Sequence, residues 1–197
     1  MSLPVARYFY ALDLCSADRQ ALVAVQQSLM PTLAKSVTAS AKQHKLPRLT
    51  KPENLHLTLT FLGQASEAQL SAINKAARQA ANIVASETQL SFQLIADHLA
   101  VFPNAKVLYV GLAHTPHWLQ YLEQALAKTA EDNDIKLVER AFTPHITLSR
   151  KVSFLPSEIS STLSPPLTLN ITSFSLYRSD STTNGVCYQA IERFSLT

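Results

Sequence analysis

Apolar and polar residues alternate over residues 54–62, Asn-Leu-His-Leu-Thr-Leu-Thr-Phe-Leu, and Gly63 closes the run. A period of two predicts a half-buried β-strand. Leu55, Leu57, Leu59 and Phe61 then share one face, and His56, Thr58 and Thr60 share the other. The same alternation returns at residues 145–150, His-Ile-Thr-Leu-Ser-Arg. There it sets His145, Thr147 and Ser149 against Ile146 and Leu148. An exposed strand face would account for either stretch alone, because threonine is common in strands. It does not account for the repetition.

Elsewhere the pattern predicts helices between short strands. Residues 7–14 are aromatic-rich and read as a strand. Ser16 is a candidate N-cap for a helix from about Ala17, with Leu22, Val25 and Leu29 on its apolar side. Pro31 should end or kink that helix, since it lacks an N–H and its ring clashes with the preceding turn. Helical pattern resumes to about His44, and residues 45–53, with Pro47 and Pro52, read as a loop. Ser66 precedes an alanine-rich helix to about Ala85. Residues 88–96 and 106–112 predict strands about a Pro103-Asn104 loop, and Pro116 opens a helix to about Glu131. Residues 136–142 are strand or loop, and Pro156, Pro165 and Pro166 punctuate the next segment. Residues 167–178 and 186–194 read as hairpin arms about an Asn184-Gly185 turn. Helices alternating with strands in this way indicate an α+β protein.

Composition narrows the function classes. The chain has 197 residues, 47% hydrophobic and 16% charged, with a formal net charge of +3. That is ample for a core and argues against disorder. The mild positive charge suits one anionic substrate in a pocket rather than a surface that coats nucleic acid. Glycine occurs only 3 times, which leaves no P-loop and no G-x-G-x-x-G. The 2 cysteines, Cys15 and Cys187, make no disulfide framework and are read as inert buried thiols in a reducing cytosol. No run of about 18 apolar residues predicts a membrane span, and no signal peptide opens the chain. A cytoplasmic monomer is the expectation.

The candidate chemistry lies in the repeat. With 6 histidines in 197 residues, one His-x-Thr is ordinary, but two, each with an apolar second residue and leucine fourth, indicate an internal repeat. Residues two apart on a strand lie about 7 Å apart on one face, so an imidazole and a hydroxyl converge on one small anion. Two such strands would offer two imidazoles and two hydroxyls to a phosphorus. In-line displacement there needs a base for the entering oxygen and an acid for the leaving one. Imidazole serves both roles near neutrality, and threonine hydroxyls can hold the non-bridging oxygens. This scheme needs no metal and no cofactor.

These residues are the defining pair of H-x-T-x motifs, His56-Leu57-Thr58-Leu59 and His145-Ile146-Thr147-Leu148. The chain resembles the two-histidine (2H) phosphoesterases, most closely the RNA 2′,3′-cyclic phosphodiesterases, also called 2′-5′ RNA ligase-like or LigT-like proteins. The opening strand from Arg7, the flanks Pro52–Gly63 and Phe142–Arg150, and the closing hairpin from Phe174 to Tyr188 extend the resemblance over most of the chain. It implies one bilobal domain spanning residues 1–197. Two pseudo-twofold-related lobes would carry antiparallel sheets lining a central cleft, with helices packed outside. It implies hydrolysis of an RNA-terminal 2′,3′-cyclic phosphate to a 2′-phosphomonoester, with RNA ends or small cyclic-phosphate nucleotides as partners. By the family's assignment His56 is proton donor and His145 proton acceptor, with Thr58, Thr147 and Arg150 binding substrate. A non-catalytic binder of nucleotides or RNA ends, and 2′-5′ ligation by the reverse reaction, are the alternatives.

Other features weigh less. The pair His114-Thr-Pro-His117 does not match usual zinc spacings and reads as a helix-entry loop. Arg48, Lys51, Arg140, Arg150 and Lys151 flank the motifs and could meet a phosphate or simply solvate a surface. Phe9, Tyr10 and Tyr109 could stack a base but as strand aromatics are more often core.

Overall fold

A computed structural model describes residues 6–38, 46–87, 92–138, 141–182 and 185–196. Along the chain run β1 (Arg7–Leu12), α1 (Ser16–Thr38), β2 (Arg48–Leu49), a 3-10 turn (Pro52–Asn54), β3 (Leu57–Gly63) and α2 (Glu67–Glu87). They are followed by β4 (Phe92–Phe102), β5 (Val107–Gly111), α3 (His117–Asp132), β6 (His145–Arg150), β7 (Thr162–Ile171), β8 (Ser173–Thr182) and β9 (Gly185–Ser195).

The strands pair antiparallel in the order β7-β4-β5-β6-β3-β1-β8-β9, with β2 added to β6. The order has a centre. Rotating about the β6–β3 junction exchanges β5 with β1, β4 with β8 and β7 with β9. The two half-sheets meet at one register pair, Leu57 with Ile146. The two half-sheets thus join at the two His-x-Thr strands, which line the cleft.

Helices cover the other face. Leu22, Leu29 and Leu33 of α1, Ile73, Ala77 and Val84 of α2, and Leu119, Leu122 and Leu126 of α3 are buried against the sheet's leucines. The start of α2 is a capping box: Ser66 N donates to Gln69 Oε1 at 2.9 Å, and Gln69 N donates to Ser66 Oγ at 3.3 Å.

Four expectations change. The first helix runs through Pro31, because the buried face continues from Leu29 to Leu33 across it. It also begins at Ser16, where the Cys15 carbonyl accepts the Arg19 N–H at 3.1 Å, so Ser16 lies inside the helix; the expected stretch beyond Thr38 is outside the described residues. The segment 167–178 is not one arm but two, divided at Thr172. Its first part belongs to β7 and pairs with β4 in the other half-sheet. Pro165 and Pro166 lie within β7, which tolerates them as an outermost strand. Of the two readings of residues 136–142, the described residues 136–138 and 141–142 take the loop, so nothing changes there. Both cysteines are exposed: Cys15 precedes α1, and Cys187 sits on outermost β9.

Just past β1, Asp13 is a hub with 8% exposure. It accepts from Ser173 Oγ at 2.7 Å, Ser175 Oγ at 2.8 Å and Tyr177 OH at 2.6 Å. Arg193 Nε lies 3.2 Å from the same carboxylate. This ties the end of β1 to β8 and β9.

Candidate active site

The alternation that places His56 and Thr58 on one face does not continue along the strand. Ala11 pairs with Thr58 and Tyr10 with Thr60, so Leu59 has no counterpart on β1. An extra residue in one strand is a β-bulge, and it flips every later side chain to the opposite face. Thr60 accordingly turns to the core at 4% exposure, and Phe61 turns outward at 46%. The second strand repeats the device. Tyr109 pairs with Thr147 and Leu108 with Ser149, so Leu148 is unmatched on β5. Ser149 becomes fully buried, and Arg150 comes to the cleft. Two expected faces are therefore corrected: Phe61 leaves the leucine face, and Thr60 and Ser149 leave the histidine face. Gln26 braces the second bulge, donating from Nε2 to the Leu148 carbonyl at 2.7 Å and to that of Thr50 at 2.9 Å.

The cleft holds two cavities. One, of about 510 Å³, is lined by His56, Thr58, Thr147, Arg150, Arg48 and Lys51 among others. The other, of about 550 Å³, contains His145. Thr58 and Phe61 border both, so the two cavities adjoin at β3. The structure thus gathers His56, Thr58, Thr147 and Arg150 around one space, with His145 reached across Thr58. Arg140 lies outside the described residues, and Lys151 is not among the lining residues of either cavity.

Each imidazole is oriented in the same way. His56 Nδ1 lies 2.7 Å from the Asn54 carbonyl, and His145 Nδ1 lies 2.7 Å from that of Thr143. A carbonyl only accepts, so Nδ1 carries the N–H in both and Nε2 is the basic nitrogen. His56 Nε2 is 3.0 Å from Thr58 Oγ1, which donates to it while the ring is neutral.

Aromatic rings hold both histidines. Phe9 packs on His56 at 5.0 Å between centroids, and Tyr188 meets its edge at 5.1 Å. Phe102 and Tyr109 hold His145 at 4.9 and 5.3 Å. Phe9 itself stacks on Tyr177 at 5.3 Å, as Tyr109 stacks on Phe102 at 4.2 Å. Of the aromatics considered for base stacking, Tyr10 is fully buried and donates its hydroxyl to Asn74. Phe9 and Tyr109 are buried behind the histidines. Sequence reasoning missed Tyr188, Phe102 and Phe61. Only Phe61 carried a signal: it stands at the same offset from His56 as Arg150 from His145.

Burial pushes the His56 pKa down to about 4. The hydrogen bond to Asn54 opposes this, while charge on His145 and on Arg150 lowers it further. Burial therefore disfavours the charged ring first, and the neighbouring cations add to it. Among the described residues no group of three His, Cys, Asp or Glu side chains is gathered to hold a metal ion. No described helix is long and apolar enough to cross a membrane.

The model of the 2′-5′ RNA ligase superfamily matches residues 29–183. The RNA 2′,3′-cyclic phosphodiesterase of Escherichia coli (strain K12) is 27% identical over 194 residues, covering 97% of each chain. That of Aquifex aeolicus (strain VF5) is 28% identical over 155 residues, covering 74% of this chain and 80% of its own. The crystal structure of Escherichia coli LigT complexed with 3′-AMP superposes with a TM-score of 0.78 at 25% identity, covering 98% of this chain and 99% of its own. A phosphoesterase crystal structure gives a TM-score of 0.79 at 26% identity, covering 98% and 99%. With the paired motifs, the fold and most of its length matched, the chain belongs to the 2′-5′ RNA ligase superfamily.

Proposed function

We propose that this chain, acting as one bilobal unit, is an RNA 2′,3′-cyclic phosphodiesterase that opens the terminal ring to a 2′-phosphomonoester by paired imidazole catalysis. One observation carries the reading: two His-x-Thr strands pair at Leu57 and Ile146, and His56 and His145 line two cavities that share Thr58 and Phe61. The names of the relatives support the substrate class.

A cyclic phosphate seated between the histidines is attacked by water on the His145 side. The bond from water oxygen to phosphorus forms as the bond to O3′ breaks. His145 Nε2 takes the water proton, and His56 Nε2 gives one to O3′, so the two exchange protonation states in a turnover. Thr58 and Thr147 donate to the non-bridging oxygens, and Arg150 offsets the charge that gathers there. His56 must enter as imidazolium, which its burial opposes. The phosphodiester's negative charge between His145, Arg150 and His56 reverses that penalty, so substrate binding itself charges the donor.

The test is incubation with an oligonucleotide ending in a 2′,3′-cyclic phosphate, with EDTA present, and assignment of the product's phosphate. A 2′-phosphomonoester is expected. A 3′-phosphomonoester would reverse the leaving oxygen, and no turnover would leave a binding module.

A further inference from the structure

Tyr188 reaches His56 from far across the sheet. It lies on β9, which stands three places from β3, beyond β1 and β8. A flat ladder would set those two strands about 14 Å apart, yet the ring centroids of Tyr188 and His56 are 5.1 Å apart. The β8–β9 hairpin therefore leans over β1, and Tyr188 meets the Phe9 ring edge-on at 5.0 Å as it does so. His145 needs no such reach, since Tyr109 lies on β5, the strand next to β6.

The lean is tied down at one residue before the first motif. Asn54 ends the 3-10 turn, and its three polar groups serve three partners. Its N–H donates to the Lys51 carbonyl at 2.9 Å and closes the turn. Its carbonyl accepts from His56 Nδ1 at 2.7 Å. Its side-chain amide donates from Nδ2 to the Val186 carbonyl at 3.0 Å, 132 residues along the chain. Val186 stands just before Cys187 and Tyr188 on β9, so this bond holds the start of β9 where its tyrosine meets the imidazole. Asn54, Val186, Tyr188 and His56 all border the same cavity.

We propose that Asn54 is a positioning residue for the donor histidine, holding the ring directly through its own carbonyl and indirectly through Val186 and Tyr188. The word donor rests on the phosphodiesterase reading; the role of the hairpin goes beyond it. The backbone carbonyl survives any substitution at residue 54, so the share of the amide can be removed alone. Its loss lets Tyr188 withdraw, which admits water to the ring and lessens the burial that holds the His56 pKa down. The charged and titratable groups around the ring are His145 and Arg150 of β6, Arg48 of β2, Lys51 and Tyr188, and Asn54→Ala changes none of them.

The experiment uses Asn54→Ala and Asn54→Leu, each alone and combined with Tyr188→Leu. In an NMR titration of the ligand-free protein, both single variants should raise the His56 pKa from about 4 toward 6.5 and leave the His145 resonance in place. On a nucleoside 2′,3′-cyclic phosphate, kcat should fall about ten- to a hundredfold, as for a misplaced catalytic group. The loss should be much smaller on a p-nitrophenyl phosphodiester, whose leaving group needs no proton. Tyr188→Leu should reproduce these effects, and adding Asn54→Ala to it should change little further. Equal losses on both substrates, or both histidine resonances moving together, would reduce Asn54 to a general support of the fold and overturn the proposal. So would an Asn54→Ala effect that persists undiminished in Tyr188→Leu. A parent that does not turn over the cyclic phosphate would overturn the phosphodiesterase reading instead, and the titration, which needs no substrate, would still decide whether Asn54 positions His56.

Discussion

Leu57 of β3 and Ile146 of β6 face each other as the register pair joining the two half-sheets. Antiparallel pairing about that point sets His56 beside Thr147 and Thr58 beside His145. Under the proposed reading each motif completes the other's site.

The imidazoles should divide the labour. His56→Ala and His145→Ala should each lower kcat by about 10²–10⁴-fold. With a p-nitrophenyl phosphodiester, whose leaving group needs no proton, His56→Ala should recover much of its loss and His145→Ala should not. Equal losses on both substrates in His56→Ala would reject it as the donor.

Protonation of His56 should be coupled to folding and to ligand. Its pKa falls from 6.5 to about 4 on folding. The protonated ring thus favours the unfolded chain, so this residue's contribution is complete above pH 6.5 and is lost as pH falls toward 4. Urea midpoints at pH 7 and pH 5 should differ less in His56→Gln than in the parent. Inorganic phosphate should raise the ring's pKa in an NMR titration, and an unmoved resonance would deny that the anion charges the donor.

Arg150 should act on both substrate and donor. Arg150→Ala removes a charge-assisted contact and should cost about ten- to a hundredfold in kcat/KM. It also removes a charge that lowers the His56 pKa, so the ligand-free His56 resonance should titrate at higher pH. Moving one without the other would separate the two roles.

The Asp13 hub should matter to stability. Asp13→Ala strands the hydroxyls of Ser173, Ser175 and Tyr177. The expected cost is about 2–4 kcal/mol by chemical denaturation, since buried donors would lose their acceptor. Because Tyr177 stacks on Phe9 and Phe9 packs on His56, activity should fall with it. Ser175→Ala, which removes a single donor, should cost less in both.

Chelation should leave the rate unchanged, since both proton transfers are assigned to imidazoles. Loss with EDTA and recovery with Zn²⁺ or Mg²⁺ would mean that the histidines hold a metal instead.

The sequence by itself determined most of the strands, the three helices and the repeated His-x-Thr motif. Period-two alternation is local, and two copies of His-x-Thr can be matched without coordinates. It also carried Arg150, though not the reason that this side chain reaches the cleft. Alternation alone would send Arg150 to the leucine face and keep Phe61 there too. Only tertiary pairing decided otherwise, because a bulge exists only where a neighbouring strand supplies one residue fewer. Leu59 and Leu148 look like ordinary strand leucines until β1 and β5 are set beside them. Pairing also gave residues 162–171 to β4 rather than to the closing hairpin. The rings that hold the histidines come from β1, β4, β5 and β9. Those on β1 and β9 are distant along the chain, as β4 and β5 are from β6, and the order of strands in the sheet brings each pair to its histidine.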